Sequence, residues 1–198
     1  TRYWRDWSSD VCSSDLDNGV TPSCVVKNNE KIHLYYIGWN PGSTTRMNIF
    51  GGLAISEDNG KSFKRYSRAP ILERNRVNPY INTAPFVVKN SESDWKVYYV
   101  SGTEWIHKDL PRYNIQMGTS SDGLEWKRSG DICIDFLPGE NALARPYVLK
   151  EGDLYKMWFA SKGEAYRLQY AESEDGQSWA RRPDLFSIAP TPNGYDSE

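Results

Sequence analysis

Apolar residues in this chain fall in short runs, each only a few residues long and each closed by a polar turn. None is long enough to span a membrane as a helix, and no helical period of apolar positions appears anywhere, so the pattern predicts strands throughout. The runs recur in sets. A proline-marked strand appears as Thr21-Pro22-Ser23-Cys24-Val25-Val26, Ala84-Pro85-Phe86-Val87-Val88 and Arg145-Pro146-Tyr147-Val148-Leu149. Each copy is followed by a polar turn (27–30, 89–94, 150–153) and then by an aromatic strand, Ile32–Ile37, Trp95–Val100 and Leu154–Phe159. Two strands joined by a short polar turn predict a hairpin.

A third strand then runs into a Ser/Asp/Gly turn that ends in an aromatic residue, as Ser56-Glu57-Asp58-Asn59-Gly60-Lys61-Ser62-Phe63, Ser120-Ser121-Asp122-Gly123-Leu124-Glu125-Trp126 and Ser173-Glu174-Asp175-Gly176-Gln177-Ser178-Trp179. The Asp carboxylate suits this turn because it accepts from backbone N–H groups two residues on, and Gly supplies a positive φ. The aromatic opens a fourth strand and pins the turn to its own sheet. Asp58, Asp122 and Asp175 are therefore expected to be structural.

Prolines 22, 85 and 146 lie 63 and 61 residues apart. Four short strands repeated at that period describe propeller blades. The expected fold is all-β, an incomplete β-propeller of about three and a half four-stranded blades out of five. The blades are placed at 17–74, 75–137 and 138–190, with the start of a fourth at 191–198. A propeller closes its ring to remove free sheet edges, and three blades are too few, so the chain reads as a fragment of a larger protein. A β-sandwich or a stacked sheet array are the other readings of the repeat. Residues 1–16 stand apart: Asp6-Trp7-Ser8-Ser9-Asp10-Val11-Cys12-Ser13-Ser14-Asp15-Leu16 resembles translated sequencing-adapter read-through at the ends of metagenomic contigs, and is set aside as a leader. With the native N-terminus unknown, the lack of a signal peptide carries no message, and the compartment stays open with the cytoplasm slightly favoured.

Composition adds two points. The net charge is −2 with basic and acidic residues interspersed, which offers no stripe for nucleic acid. Eight Trp and thirteen Tyr in an otherwise polar chain suit β-strands, and they also suit surfaces that stack on sugar rings. Cys12, Cys24 and Cys133 have no metal-ligand spacing and form no disulfide framework. With only His33 and His107, no histidine metal site is expected.

The repeated turn, the proline-marked strands, Leu34-Tyr35-Tyr36-Ile37-Gly38-Trp39 and the closing Gly194-Tyr195-Asp196-Ser197-Glu198 resemble five-bladed propellers of the glycoside hydrolase family 43 and 32 group, in particular members found with bacterial surface-polysaccharide genes. The turn of the first repeat also matches the sialidase Asp-box, but no arginine triad with a Tyr/Glu pair accompanies it. The resemblance implies a carbohydrate substrate and a pair of carboxylates, one protonating the leaving oxygen and one activating water or attacking the anomeric carbon. It implies no cofactor. Some relatives hold a channel Ca²⁺, for which no ligand set is evident here.

In a propeller the innermost strands line the axis, and the residues that begin them meet at one mouth. The candidate catalytic residues are therefore Asp17, matching the family 43 base, with Glu140 or Glu198 as the acid. Candidate substrate-binding residues are Arg145, Arg167, Trp39, Tyr80, Asn82 and Asp196; Trp105 and Tyr166 can also stack on sugars. Arg145 stands out because a charge just before a buried axial strand needs a partner. The second mouth, Arg76-Val77-Asn78-Pro79-Tyr80-Ile81-Asn82-Thr83, carries no acid where family 43 has a modulating Asp, and Arg145-Pro146 replaces the Arg-Asp-Pro of family 32. Three functions fit: a glycosidase or transglycosylase, a phosphorylase resembling family 130, or a glycan-binding propeller without chemistry. No nucleic-acid or membrane partner is expected, and oligomeric state is left open.

Overall fold

The computed structural model describes residues 18–186 together with Ile188 and Gly194. These residues form strands and turns with no helix. Four antiparallel strands recur three times: β1 (Gly19–Asn28), β2 (Lys31–Pro41), β3 (Met47–Ser56) and β4 (Lys64–Arg65); β5 (Asn82–Lys89), β6 (Trp95–His107), β7 (Leu110–Ser120) and β8 (Lys127–Ile134); β9 (Ala142–Glu151), β10 (Leu154–Lys162), β11 (Tyr166–Ser173) and β12 (Ala180–Arg181). Each set is a meander. The sets are joined by single parallel bridges, Phe50↔Asn82 and Tyr113↔Ala142, in which the third strand of one blade touches the inner strand of the next. The sheet does not close on itself among the described residues, and the arrangement is that of an incomplete β-propeller.

The core lies between blades. Tyr35, Leu53 and Leu72 of the first blade pack with Val87, Trp95, Val97 and Tyr99 of the second. Tyr98, Ile115, Met117 and Cys133 of the second pack with Leu143, Met157, Phe159 and Ala171 of the third. The seams are latched by an element the repeat makes twice. Tyr35 Oη donates to the Gly123 carbonyl (2.7 Å) and Tyr98 Oη to the Gly176 carbonyl (2.9 Å), so a tyrosine on each second strand holds the Ser/Asp/Gly turn of the following blade. Trp126 and Trp179, from those turns, meet the same tyrosine rings edge-on. Gly176 has φ +68°, and a Cβ there would lie 2.7 Å from Tyr98 Oη, which accounts for the glycine twice over.

The Asp-turns are built as the residue types require. In the third blade Asp175 Oδ1 accepts from the backbone N–H of Gln177 (2.7 Å) and Ser178 (2.8 Å), and Asp122 does the same for Leu124 and Glu125. In the first blade Asp58 accepts from the Ser62 N–H (2.8 Å) and hydroxyl (2.6 Å). Because these turns follow each third strand, topology puts them at the end of the molecule opposite the starts of β1, β5 and β9.

The three inner strands share an irregularity at their proline motif. The ladder slips between Pro22 and Cys24, between Thr83 and Phe86, and opposite Trp158/Ala160. At the last two, the residue before proline is left-handed: Ala84 has φ +50° and Arg145 φ +54°. A non-glycine residue there costs about 1–2 kcal/mol, so the surrounding sheet must hold it. A bulge re-aims the side chain it carries, and in β9 that side chain is Arg145.

Candidate functional site

The mouth end collects the starts of the inner strands, the β2–β3, β6–β7 and β10–β11 connections, and the links between blades. Of the residues the sequence nominated, Asp17, Asp196 and Glu198 lie outside the described residues. The others can be placed.

Glu140 precedes β9 on the link between the second and third blades. Both of its oxygens are bound by Arg181 (Nη1–Oε1 2.9 Å, Nη2–Oε2 2.8 Å), and Oε2 also accepts from the Leu137 N–H at 2.8 Å. The side chains of Glu140 and Arg181 are 13% and 14% exposed. Arg181 lies over the Phe159 ring (5.2 Å) and donates to the Asp135 carbonyl (2.6 Å). Burial pushes the Glu140 carboxyl up, but the donors from Arg181 and Leu137 outweigh it and hold the group below the ordinary carboxylate range. A carboxylate held ionised in this way has no proton to give near neutral pH, so the general-acid role does not suit Glu140 as it stands.

Arg145 is different. It is exposed, and among the described residues its guanidinium makes no hydrogen bond or ion pair. A left-handed backbone thus presents a fork of N–H donors at an inner strand, with no partner among the described residues. Arg167, at the start of β11, donates from Nη1 to the Tyr166 carbonyl (2.8 Å). Tyr166 shares a hydroxyl–hydroxyl bond of 2.7 Å with Tyr113, and Lys162 sits over its ring. Burial, with the Tyr166 bond behind it, pushes the Tyr113 hydroxyl well above its usual value.

The acid-free second mouth is filled by amides. Asn78 and Asn82 are fully buried. Asn78 Nδ2 donates to Ser101 Oγ (2.9 Å) and Gln116 Oε1 (2.6 Å); Asn82 Nδ2 donates to the carbonyls of Glu73 (3.3 Å) and Asn78 (3.0 Å). Tyr99 Oη donates to Asn78 Oδ1 at 3.2 Å. Asn114, which accepts from Gln116, donates to Asp135 Oδ1 at 3.2 Å. Asn82 therefore braces the segment before β5 and has no surface to offer a ligand in this arrangement. The network is what a buried polar cluster must be, paired almost throughout.

Trp39 lies near the end of β2 and covers the start of β1: a Cβ on Gly19 would fall 2.6 Å from its Nε1. Tyr80 lines a cleft of about 460 Å³ between the first and second blades, together with Trp105, Arg74 and Asn48. Arg74 and Asn48 were not legible as a pair, since one lies on the blade link and the other starts a third strand. The partner of Glu140 was likewise missed; the only sequence signal was the Arg181-Arg182 pair behind the third Asp-turn. No cluster of three or more His, Cys, Asp or Glu suited to a metal ion occurs among the described residues.

Taken together, the mouth offers a fixed carboxylate, a guanidinium without a partner among the described residues, and an aromatic and amide cleft. Side chains of these types are chemically suited to hydroxyl-rich or anionic ligands.

No protein-family model matches the chain. It is 31% identical over 185 residues, 92% of its length, to an uncharacterized protein of Mycobacterium tuberculosis (Rv1502), and spans 61% of that relative's length. A solved glycoside hydrolase superposes with a TM-score of 0.69 at 18% identity, over 93% of this chain and 62% of that one. A GH32 β-fructofuranosidase of Bombyx mori, solved with sucrose, superposes with a TM-score of 0.64 at 17% identity, over 79% of this chain and 35% of that one. At these identities the likeness establishes the fold: this chain has the propeller architecture found in glycoside hydrolases.

Proposed function

We propose that this chain forms part of a carbohydrate-active propeller, a glycosidase or transglycosylase that works with paired carboxylates at the axial mouth. The observation that carries the reading is Arg145: the proline bulge of an inner strand presents its exposed guanidinium, which makes no hydrogen bond or ion pair among the described residues. The left-handed backbone recurs at the buried Ala84 and belongs to the repeat; in β9 the side chain it carries is charged and exposed, a placement suited to a ligand. The propeller architecture shared with glycoside hydrolases supports the substrate class.

In this reading Glu140, ionised by Arg181, is a fixed negative group of the mouth, and the proton donor is Glu198, with Asp17 as base and Asp196 beside the substrate. Arg145 binds a hydroxyl or an anionic group of the sugar. A second reading, phosphorolysis, is favoured by the same guanidinium, because phosphate in place of water needs such a fork. The third, glycan binding without chemistry, is favoured by the amide-filled second mouth, whose segment 76–83 carries no carboxylate to tune an acid.

The test uses a protein of the relatives' full length that carries this sequence, incubated with oligosaccharide panels with and without phosphate. Hydrolysis predicts reducing-sugar release without phosphate, abolished by Glu198→Gln. Turnover only with phosphate supports the second reading. Saturable binding with no product under either condition supports the third, and no binding of any glycan overturns all three.

A further inference from the structure

The cleft between the first two blades has a composition the axial mouth does not explain. Its polar wall is Arg74, whose Nη2 donates to Asn48 Oδ1 at 2.7 Å while its guanidinium lies over the Phe50 ring at 5.3 Å. Asn48 is itself held by Asn40, with Nδ2 to Oδ1 at 3.1 Å. The remaining Arg74 N–H groups make no hydrogen bond among the described residues, and no acidic side chain lines the cleft there. The aromatic wall is Trp105 with Tyr80, which is 38% exposed.

The walls are pre-set by backbone. Trp105 sits where the β6–β7 ladder slips twice, between Gly102 and Glu104 and between Trp105 and His107, so that its side chain is turned out of the regular alternation. Gly102 lets β6 close on the segment before β5: its N–H donates to the Ile81 carbonyl at 2.7 Å, and a Cβ there would lie 2.9 Å from Ile81 N. The first-blade loop is tied across to the second blade by the Arg46 N–H on the Lys108 carbonyl at 2.9 Å. A guanidinium already fixed by stacking and one hydrogen bond loses little freedom on binding, and its fork geometry matches a carboxylate.

We propose that this cleft is a subsite for an acidic sugar, taking the carboxylate of a uronic acid residue on Arg74 and its ring face on Trp105. The inference rests on the carbohydrate-active reading and sharpens it, making the substrate an acidic glycan that extends off the axis across the seam between the first two blades.

Calorimetric titration at low ionic strength tests it on the 198-residue chain, with tetrasaccharides of galacturonate, mannuronate and hyaluronan set against maltotetraose and cellotetraose. At least one acidic oligomer is expected to bind roughly tenfold or more tighter than the neutral ones, as a single charge-assisted bidentate contact supplies. Added salt and Arg74→Gln should each erase that preference, with the neutral affinities and the circular dichroism spectrum unchanged. Trp105→Ala should weaken acidic and neutral binding alike. Neutral binding with no acidic preference, or a preference that survives Arg74→Gln, overturns the inference and leaves the carbohydrate-active reading standing. No binding of any tetrasaccharide also overturns the inference, since every residue of the cleft lies within this chain, while the carbohydrate-active reading is judged on the full-length protein.

Discussion

Replacing Arg181 by Met should destabilise this chain far more than a surface ion pair would suggest. Glu140 is bound through both oxygens, and both side chains are nearly nine-tenths buried. Taking away the guanidinium leaves a charged carboxylate in a poorly hydrated seam, with the Leu137 N–H and the Ser161 hydroxyl as its remaining donors. Breaking a buried pair from one side costs about 3–5 kcal/mol, which for a chain of this size is a fall in Tm of roughly 6–20 °C. Glu140→Gln keeps the shape and part of the hydrogen bonding and should cost about 1–3 kcal/mol. The double variant Glu140→Leu/Arg181→Met should recover much of the single loss, because no unpaired charge remains. Urea unfolding at a series of pH values is the assay. The Glu140 carboxyl is held below its ordinary value in the folded chain. The stability it contributes is therefore present above the unfolded value of about 4.3 and is lost as pH falls through the folded one. The gap between wild type and Arg181→Met should shrink over that acid range. A loss below about 0.5 kcal/mol, or a gap indifferent to pH, would refute the buried-pair account and reopen Glu140 as a proton donor.

Three further outcomes follow from the seams. Tyr98→Phe keeps the ring against Trp179 but strands the Gly176 carbonyl, so unfolding free energy should drop by about 1–3 kcal/mol; an unchanged midpoint would mean the latch is packing alone. His33 is 2% exposed and stacked on Trp95, and burial, then Lys31 and Lys89, push its pKa down against a smaller opposing effect of Asp122. The unfolded chain then takes up a proton that the folded one refuses, so stability should fall as pH drops below about 6.5. His33→Phe should remove that part of the slope, and an NMR titration at or above the ordinary value would count against the argument. Burial raises the thiols of Cys24 and Cys133 to about 11 and about 12, so neither should alkylate with iodoacetamide in the folded chain at pH 8, as peptide mass mapping would read.

The amino-acid sequence by itself determined the four-strand repeat, its period and its Asp-turns. These are local: alternating short apolar runs make strands, and a Ser-x-Asp turn closed by Gly satisfies its own backbone within a few residues, so each is written in consecutive positions. It also picked out Arg145, through its place before a strand proline, although the left-handed backbone that presents the side chain appears only once the β9–β10 ladder is paired. What the tertiary structure alone decided is partnership. Glu140 meets Arg181 across 41 residues, Asn82 turns inward to brace Glu73 and Asn78, and Arg74 faces Trp105 across a seam. Such pairings depend on the angle at which one blade packs against the next. That angle is set by the summed burial of Tyr35, Trp95, Tyr98 and Phe159 in the seams, a quantity no window of sequence contains.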